Sequence, residues 1–465
     1  MLSNTVLIDS PSDYRIFQQK DGKADITVSG HVELKDGGEY EGYTVRLAVL
    51  REYNGTYVRF WESAEMEGTS FSHTFCGIPA GGLYTILSSF SDSLQAYEQG
   101  MRGDVAIHIG VGDLYVIAGQ SNSAGFAKTP GGLSPELGIH LFRNCCRWDV
   151  AFDPMNEPTN TAHPENAEAG VPGQSPYLSF ARALKRELGY PIGLIQTSVG
   201  GSPLSCWSQR ENGILFRNMI RTVGLCGGRV RGILWYQGET DAFEEPLTAS
   251  YLERFCSFAE DVRKALHDPE LPFLTVQLNK LLSCKDPALS RRWAEIREAQ
   301  RKASQLLPHV YIVPTLDLSL SDAIHNNALS NNAVGERLAY MAFEKIYRLE
   351  YTASAPNLLS AEEEDGNRVK LSFGGISLYL VCFELPADRL EFVFEDERGV
   401  VEFDDYQCGI DSIVFHLTRA PEGELLASYA PSAFCGSNVP FDRGTGLPIL
   451  AFYRAVCQKP QPPNV

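Results

Sequence analysis

Four stretches of the chain carry residues able to do chemistry together. Ser121 stands in Gln120-Ser-Asn-Ser123, a polar turn directly after the apolar run 114–118. A serine hydroxyl is a poor nucleophile until a base takes its proton, and an imidazole does this well when a carboxylate fixes its tautomer. Asp322 and His325, three residues apart, offer that acid and base in one short turn. Between these two stretches lies Val199-Gly-Gly-Ser-Pro-Leu-Ser-Cys-Trp207, whose glycines allow close backbone approach and can present an amide N–H to an oxyanion. Trp235-Tyr-Gln-Gly-Glu-Thr-Asp241 adds an amide donor, Gln237, and a carboxylate, Glu239. Taken singly, each stretch has a plainer reading, since Ser-Asn-Ser is a common capping turn and D-x-x-H a common helix start. Taken together they supply nucleophile, base, orienting acid and anion-stabilising donors, the set that acyl transfer needs.

The elements that must position these loops follow from the apolar pattern. Runs at 114–118, 192–196, 233–237, 273–278 and 310–313 are short, continuous and apolar, as in strands buried on both faces. Helical stripes fall between them, one formed by Tyr177, Leu178, Ala181, Leu184 and Leu188, another by Val334, Leu338, Met341, Ala342 and Ile346. Alternating strands and helices predict a doubly wound, five-stranded parallel sheet over residues 111–350, with the four loops at the carboxyl edge where such sheets bind ligands. On either side the texture is alternation of period two. Val45, Leu47 and Val49, then Val105, Ile107 and Ile109, predict a sandwich-like β domain over 1–110, with a breaker at 35–38. Val369, Leu371 and Phe373, then Ile413, Phe415 and Leu417, predict a second one over 351–465, ending in a frayed tail from 458.

Composition narrows the function. The 465 residues are 44% hydrophobic and 21% charged, with a net charge of −18. Such an acidic chain suits neither nucleic acid nor an anionic membrane surface. No basic leader, apolar segment of spanning length, P-loop or dinucleotide motif is present, and the expected location is the cytoplasm. Eleven scattered cysteines without C-x-x-C predict free thiols, with no metal or other cofactor. The remaining histidines are weaker bases: His31, His73, His108 and His416 fall in predicted β strands, and His140, His163, His267 and His309 in loops or at element ends. The partner expected is a small molecule, and a homo-oligomer is compatible with this surface but not demanded by it.

The ordered set G-Q-S-N, G-G-S with a Trp four residues on, W-Y-Q-G-E-T-D and D-x-x-H resembles the SGNH hydrolase superfamily, and within it the sialate O-acetylesterases and their acetylxylan-esterase-like relatives. Gly110-Val-Gly-Asp-Leu-Tyr115, Pro191-Ile-Gly-Leu-Ile195, Gly335-Glu-Arg-Leu-Ala339 and Gly446-Leu-Pro448 extend the resemblance over most of the chain. It implies a serine esterase that removes O-acetyl groups from carbohydrates, sialic acids first, acetylated xylan or mannan oligosaccharides as the alternative. Ser121 would attack, His325 act as base and then acid, and Asp322 orient it. The oxyanion would be held by the amide of Ser121, an amide of the Gly200-Gly201 turn with Gly201 favoured, and the Gln237 side chain. Asn122 would brace the serine turn, and Glu239 would either organise the site or tie its turn. Ser123 and Asn326 depart from the usual methionine and proline, which bears on the substrate pocket. Trp148, Trp207 and Trp235 are either sugar-facing walls or loop braces, and Arg143, Arg147 and Arg210 are within sequence reach of a substrate carboxylate. A non-catalytic carbohydrate-binding protein on the same fold is the competing reading.

Overall fold

The computed structural model describes residues 5–34, 43–91, 101–128, 133–365, 367–383, 386, 389–436 and 439–459. The breaker at 35–38 and the end of the tail beyond residue 459 lie outside the described residues. The protein is a mixed α/β molecule built on a large mixed sheet.

The spine of that sheet is the strand Met101–Gly119. Its second half is flanked by Ile192–Gln196 and Gly232–Tyr236, with Phe273–Val276 and Val310–Val313 beyond the latter, all parallel. These are the runs expected from the sequence, and every residue of Ile192–Gln196 and Gly232–Tyr236 is buried. Register fixes which helix each face meets. Tyr115 pairs with Gly232 and Ala118 with Trp235, so Tyr115 and Trp235 point to opposite faces. Tyr115 meets Phe180 of helix Tyr177–Leu188, whereas Trp235 meets Phe255 and Phe258 of helix Tyr251–Ala265. Helices therefore cover both faces, which is why the strands carry no polar alternation.

The five-strand expectation falls short by one parallel strand. Ile139–Phe142 pairs in parallel with Ile192–Gln196, and an antiparallel strand Trp148–Val150 closes that edge. His140, expected in a loop or at an element end, sits in this missed strand with no exposed surface. Its polarity is hidden because both ring nitrogens are used: Nδ1 donates to the Tyr14 carbonyl at 2.7 Å and Nε2 accepts from the Gly138 amide at 3.1 Å. Burial holds His140 down to about 4 from the usual 6.5, outweighing the bond to Tyr14. The unfolded chain thus takes up a proton that the folded one refuses. The contribution is fully present above pH 6.5 and is lost as pH falls toward 4, amounting to roughly 3 kcal/mol. Urea midpoints measured from pH 7 to 4.5 should fall, and His140→Gln should flatten that slope.

The sheet does not stop where the N-terminal β region meets the central one. The long strand runs through residue 110, and Ile16–Gln18, Thr44–Arg51, Tyr57–Ser63 and Leu83–Ser91 extend the same eleven-stranded sheet. A four-stranded sheet led by Thr5–Ser10 and Lys23–Glu33 shares one core with it, to which Val28 and Phe75 contribute from one sheet and Leu47 and Ile86 from the other. At the other end, two four-stranded antiparallel sheets enclose Phe373, Phe392, Phe415 and Phe452. Arg297, fully buried, fastens this region to the centre by donating to the carbonyls of Ala430, Ser432 and Ala433. The eleven cysteines are free thiols, Cys382 and Cys408 bringing their sulfurs to 3.0 Å. Among the described residues no helix is long and apolar enough to cross a membrane, and no group of three or more His, Cys, Asp or Glu is placed to hold a metal ion.

Candidate active site

The central strand delivers Ser121 through a turn that only glycine can make. Gly119 has φ of +121°, and a Cβ there would lie 2.2 Å from the Tyr236 carbonyl oxygen. Gln120 then ties the turn to the third loop, its Oε1 accepting from the Gln237 side chain and the Thr240 amide. Ser121 opens the short helix Ser121–Ala124 and is 7% exposed.

The structure brings Ser121, His325 and Asp322 into one hydrogen-bonded row. Ser121 Oγ lies 2.9 Å from His325 Nε2, and His325 Nδ1 lies 2.9 Å from Asp322 Oδ2. Asp322 Oδ1 also accepts from the amides of Ile324 and His325, at 2.9 and 2.8 Å, so the turn that spaces acid and base is closed by the acid itself. Burial alone would push the Asp322 carboxyl up. The bonds from His325, Ile324 and Lys128 outweigh it and hold the group well below the usual carboxylate range. A permanently charged acceptor on Nδ1 leaves Nε2 free to take the serine proton. Lys128 Nζ reaches Asp322 Oδ2 at 2.9 Å from an exposed position, and Phe126 stacks on the His325 ring at 5.3 Å between centroids.

Asn122 joins this row to the third loop. Its Nδ2 donates to Glu239 Oε1 at 2.7 Å and to the Ile324 carbonyl at 3.2 Å, and its Oδ1 accepts from the Asn326 amide at 3.1 Å. It therefore braces the histidine loop as well as the serine turn. Glu239 is buried, and burial pushes its carboxyl up against the opposing bond from Asn122. Its second oxygen has no hydrogen-bond partner among the described residues.

The two amides of the glycine turn differ in their partners. Gly200 N–H is committed to Glu168 Oε2 at 2.8 Å. Gly201, exposed and at φ +68°, has no acceptor for its N–H among the described residues, and neither does the amide of Ser121. Gln237 is a correction. Its side chain has no exposed surface, and its Nε2 donates to Asp241 Oδ2 at 2.6 Å and to Gln120 Oε1 and the Ser202 carbonyl at 3.2 and 3.3 Å. Its Oε1 accepts from Tyr251. Both N–H groups are spent inside the protein, so none is left for an oxyanion.

Other expectations change for the same reason, the direction in which a side chain leaves the backbone. Ser123 is fully buried and bonds the Ala118 carbonyl and Tyr177 hydroxyl, and Asn326 is fully buried between Asn279 and Asn331. Neither shapes a substrate pocket. Trp148, Trp207 and Trp235 are all buried: Trp148 packs on Phe142, Trp235 on Phe255 and Phe258, and Trp207 braces the glycine turn through Ser202. Arg143 is spent on Glu157 and Arg210 on Asp261, while Arg147 is exposed. Sequence reasoning passed over Glu168, Phe126, Lys128 and Asp241. Of these only Asp241 carried a signal, as the last letter of W-Y-Q-G-E-T-D.

The chain is similar to known carbohydrate esterases. Residues 111–344 match the family model described as carbohydrate esterase, sialic acid-specific acetylesterase. A probable carbohydrate esterase of Arabidopsis thaliana is 26% identical over 186 residues, covering 36% of this chain and 68% of that protein. Human sialate O-acetylesterase is 28% identical over 177 residues, covering 31% of this chain but only 33% of the human protein. The crystal structure of a carbohydrate acetylesterase from Xanthomonas citri superposes with a TM-score of 0.69 at 21% identity, covering 96% of this chain and 99% of that one, which shows the fold to be shared along nearly the whole length.

Proposed function

The chain belongs to the carbohydrate esterase family of sialic acid-specific acetylesterases, and from that premise we propose that it removes O-acetyl groups from sialic acids by a serine mechanism. The observation that carries the reading is the row Ser121, His325, Asp322 with both contacts at 2.9 Å. Ser121 Oγ attacks the acetyl carbonyl carbon as His325 Nε2 takes its proton. The carbonyl π pair moves onto oxygen, where the amides of Ser121 and Gly201 receive it. His325 then returns the proton to the departing sugar oxygen, leaving an acetyl-serine that water hydrolyses by the same route.

Sialic acid rather than a neutral sugar is favoured by the family description and by the human relative. The two departures at Ser123 and Asn326 do not count against it, since both side chains are buried. A substrate carboxylate would meet Lys128, the exposed cation beside His325 and Asp322, in place of the arginines considered from sequence. Eleven free thiols support a reducing compartment, hence action on imported sugars in the cytoplasm.

Acetate release should be measured from O-acetylated sialic acids alongside acetylated xylo- and manno-oligosaccharides. Release from the sialic acids at the highest kcat/KM is the expected result. Preference for a neutral oligosaccharide would overturn the sugar assignment, and no release from any would favour a binding protein on this fold.

A further inference from the structure

With Gln237 turned inward, the third loop still has one partly exposed side chain, bonded to the glycine turn. We propose that the Thr240 hydroxyl is a donor to the oxyanion, acting beside the amides of Ser121 and Gly201; this rests on Ser121 being the nucleophile.

Elimination within the loop comes first. Gln237 could turn outward only by leaving Asp241, itself without exposed surface, short of a donor. Glu239 is a buried acceptor held by Asn122. Thr240 alone in Gln237-Gly-Glu-Thr-Asp241 is partly exposed.

Its position is then fixed from two sides. The Thr240 amide donates to Gln120 Oε1 at 3.2 Å, and Gln120 is the residue bonded to Ser121. The Thr240 hydroxyl donates to the Gly201 carbonyl at 3.2 Å, and Gly201 bears the amide that has no acceptor among the described residues. Thr240 is therefore anchored to the neighbours of both amide donors. A hydroxyl rotates about one bond, and a contact of 3.2 Å to a neutral carbonyl is long for O–H···O. When negative charge appears on the acetyl oxygen, the hydroxyl exchanges that contact for a shorter, charge-assisted one. The gain exists only in the tetrahedral state, so it raises kcat rather than tightening ground-state binding. No proton is transferred: the serine proton goes to His325 and the Thr240 hydrogen stays on its oxygen.

Thr240→Val keeps the shape and removes the donor. With 4-nitrophenyl acetate and the full chain, kcat/KM should fall about 10²-fold, and Thr240→Ser should restore most of it. Methylboronic acid, which forms a tetrahedral adduct on a serine oxygen, separates this role from loop support. Its inhibition constant should weaken in Thr240→Val by a factor similar to that in kcat/KM. A valine variant as fast as the parent while Ser121→Ala is inactive overturns the role of Thr240 alone. A slow valine variant with unchanged boronate affinity, or a serine variant that fails to recover, also overturns it. Activity surviving in Ser121→Ala overturns the reading underneath.

Discussion

Ser121→Ala should lower kcat for acetate release by roughly 10⁵- to 10⁶-fold, with an unchanged melting temperature. The chemical step needs an oxygen whose proton can leave as the bond to carbon forms, and His325 Nε2 lies 2.9 Å from that oxygen. Alanine removes the oxygen and leaves the backbone amides in place, so only the donors' contribution remains. Because the three side chains act as a unit, their losses should not add. Ser121→Ala combined with His325→Ala should be no slower than Ser121→Ala alone. Asp322→Asn is more informative about mechanism. It preserves the shape but offers Nδ1 a neutral group in place of a charge, and a turn that relies on Asp322 Oδ1 for the amides of Ile324 and His325 keeps one oxygen to accept them. A fall of about 10⁴-fold is expected. Retention of the parent rate in Ser121→Ala, measured by acetate release and by 4-nitrophenyl acetate hydrolysis, would remove the serine mechanism altogether.

How far such a site can be seen in a sequence depends on which quantity is asked for. Strand positions were legible at 114–118, 192–196 and 310–313 because burial on both faces forces an unbroken apolar run. Ile139–Phe142 was not, because its histidine hides both nitrogens in bonds to Tyr14 and Gly138, which lie 126 and two residues away. The order of loops placed Ser121, Asp322 and His325 at one edge, since parallel strands put every βα loop on the same side. Side-chain direction was the part that spacing could not give. The resemblance implied Gln237 as an oxyanion donor at the end of its strand, yet the chain leaves the strand at Tyr236 and the amide is buried on Asp241. The tryptophans failed as sugar walls similarly: Trp207 donates its Nε1 to Ser202 and packs edge-on against Trp235.

Asp241 explains why the glycine turn holds still, and its removal is the second large effect expected. The carboxylate has no exposed surface and serves three partners from different segments: the Leu204 amide at 2.9 Å, Gln237 Nε2 at 2.6 Å and Arg254 Nη1 at 2.9 Å. Arg254 would survive the loss, since Glu211 takes its Nε and Nη2 at 2.9 and 3.1 Å. The Leu204 amide would be stranded, and Gln237 Nε2 would be left with its longer contacts to Gln120 Oε1 and the Ser202 carbonyl at 3.2 and 3.3 Å. A buried donor left without an acceptor costs about 1–3 kcal/mol, so with the weakened Gln237 contacts added Asp241→Ala should destabilise the protein by roughly 2–4 kcal/mol. The urea midpoint should drop accordingly with the slope unchanged. Asp241→Asn retains one acceptor and should cost less than alanine. Activity should fall further than the folded fraction explains, because freeing Leu204 and Gln237 loosens the segment that aims the Gly201 amide. Asp241→Ala folding as stably as the parent would show that water replaces the carboxylate at the Leu204 amide and that the turn is held by Glu168 and Ser202 instead.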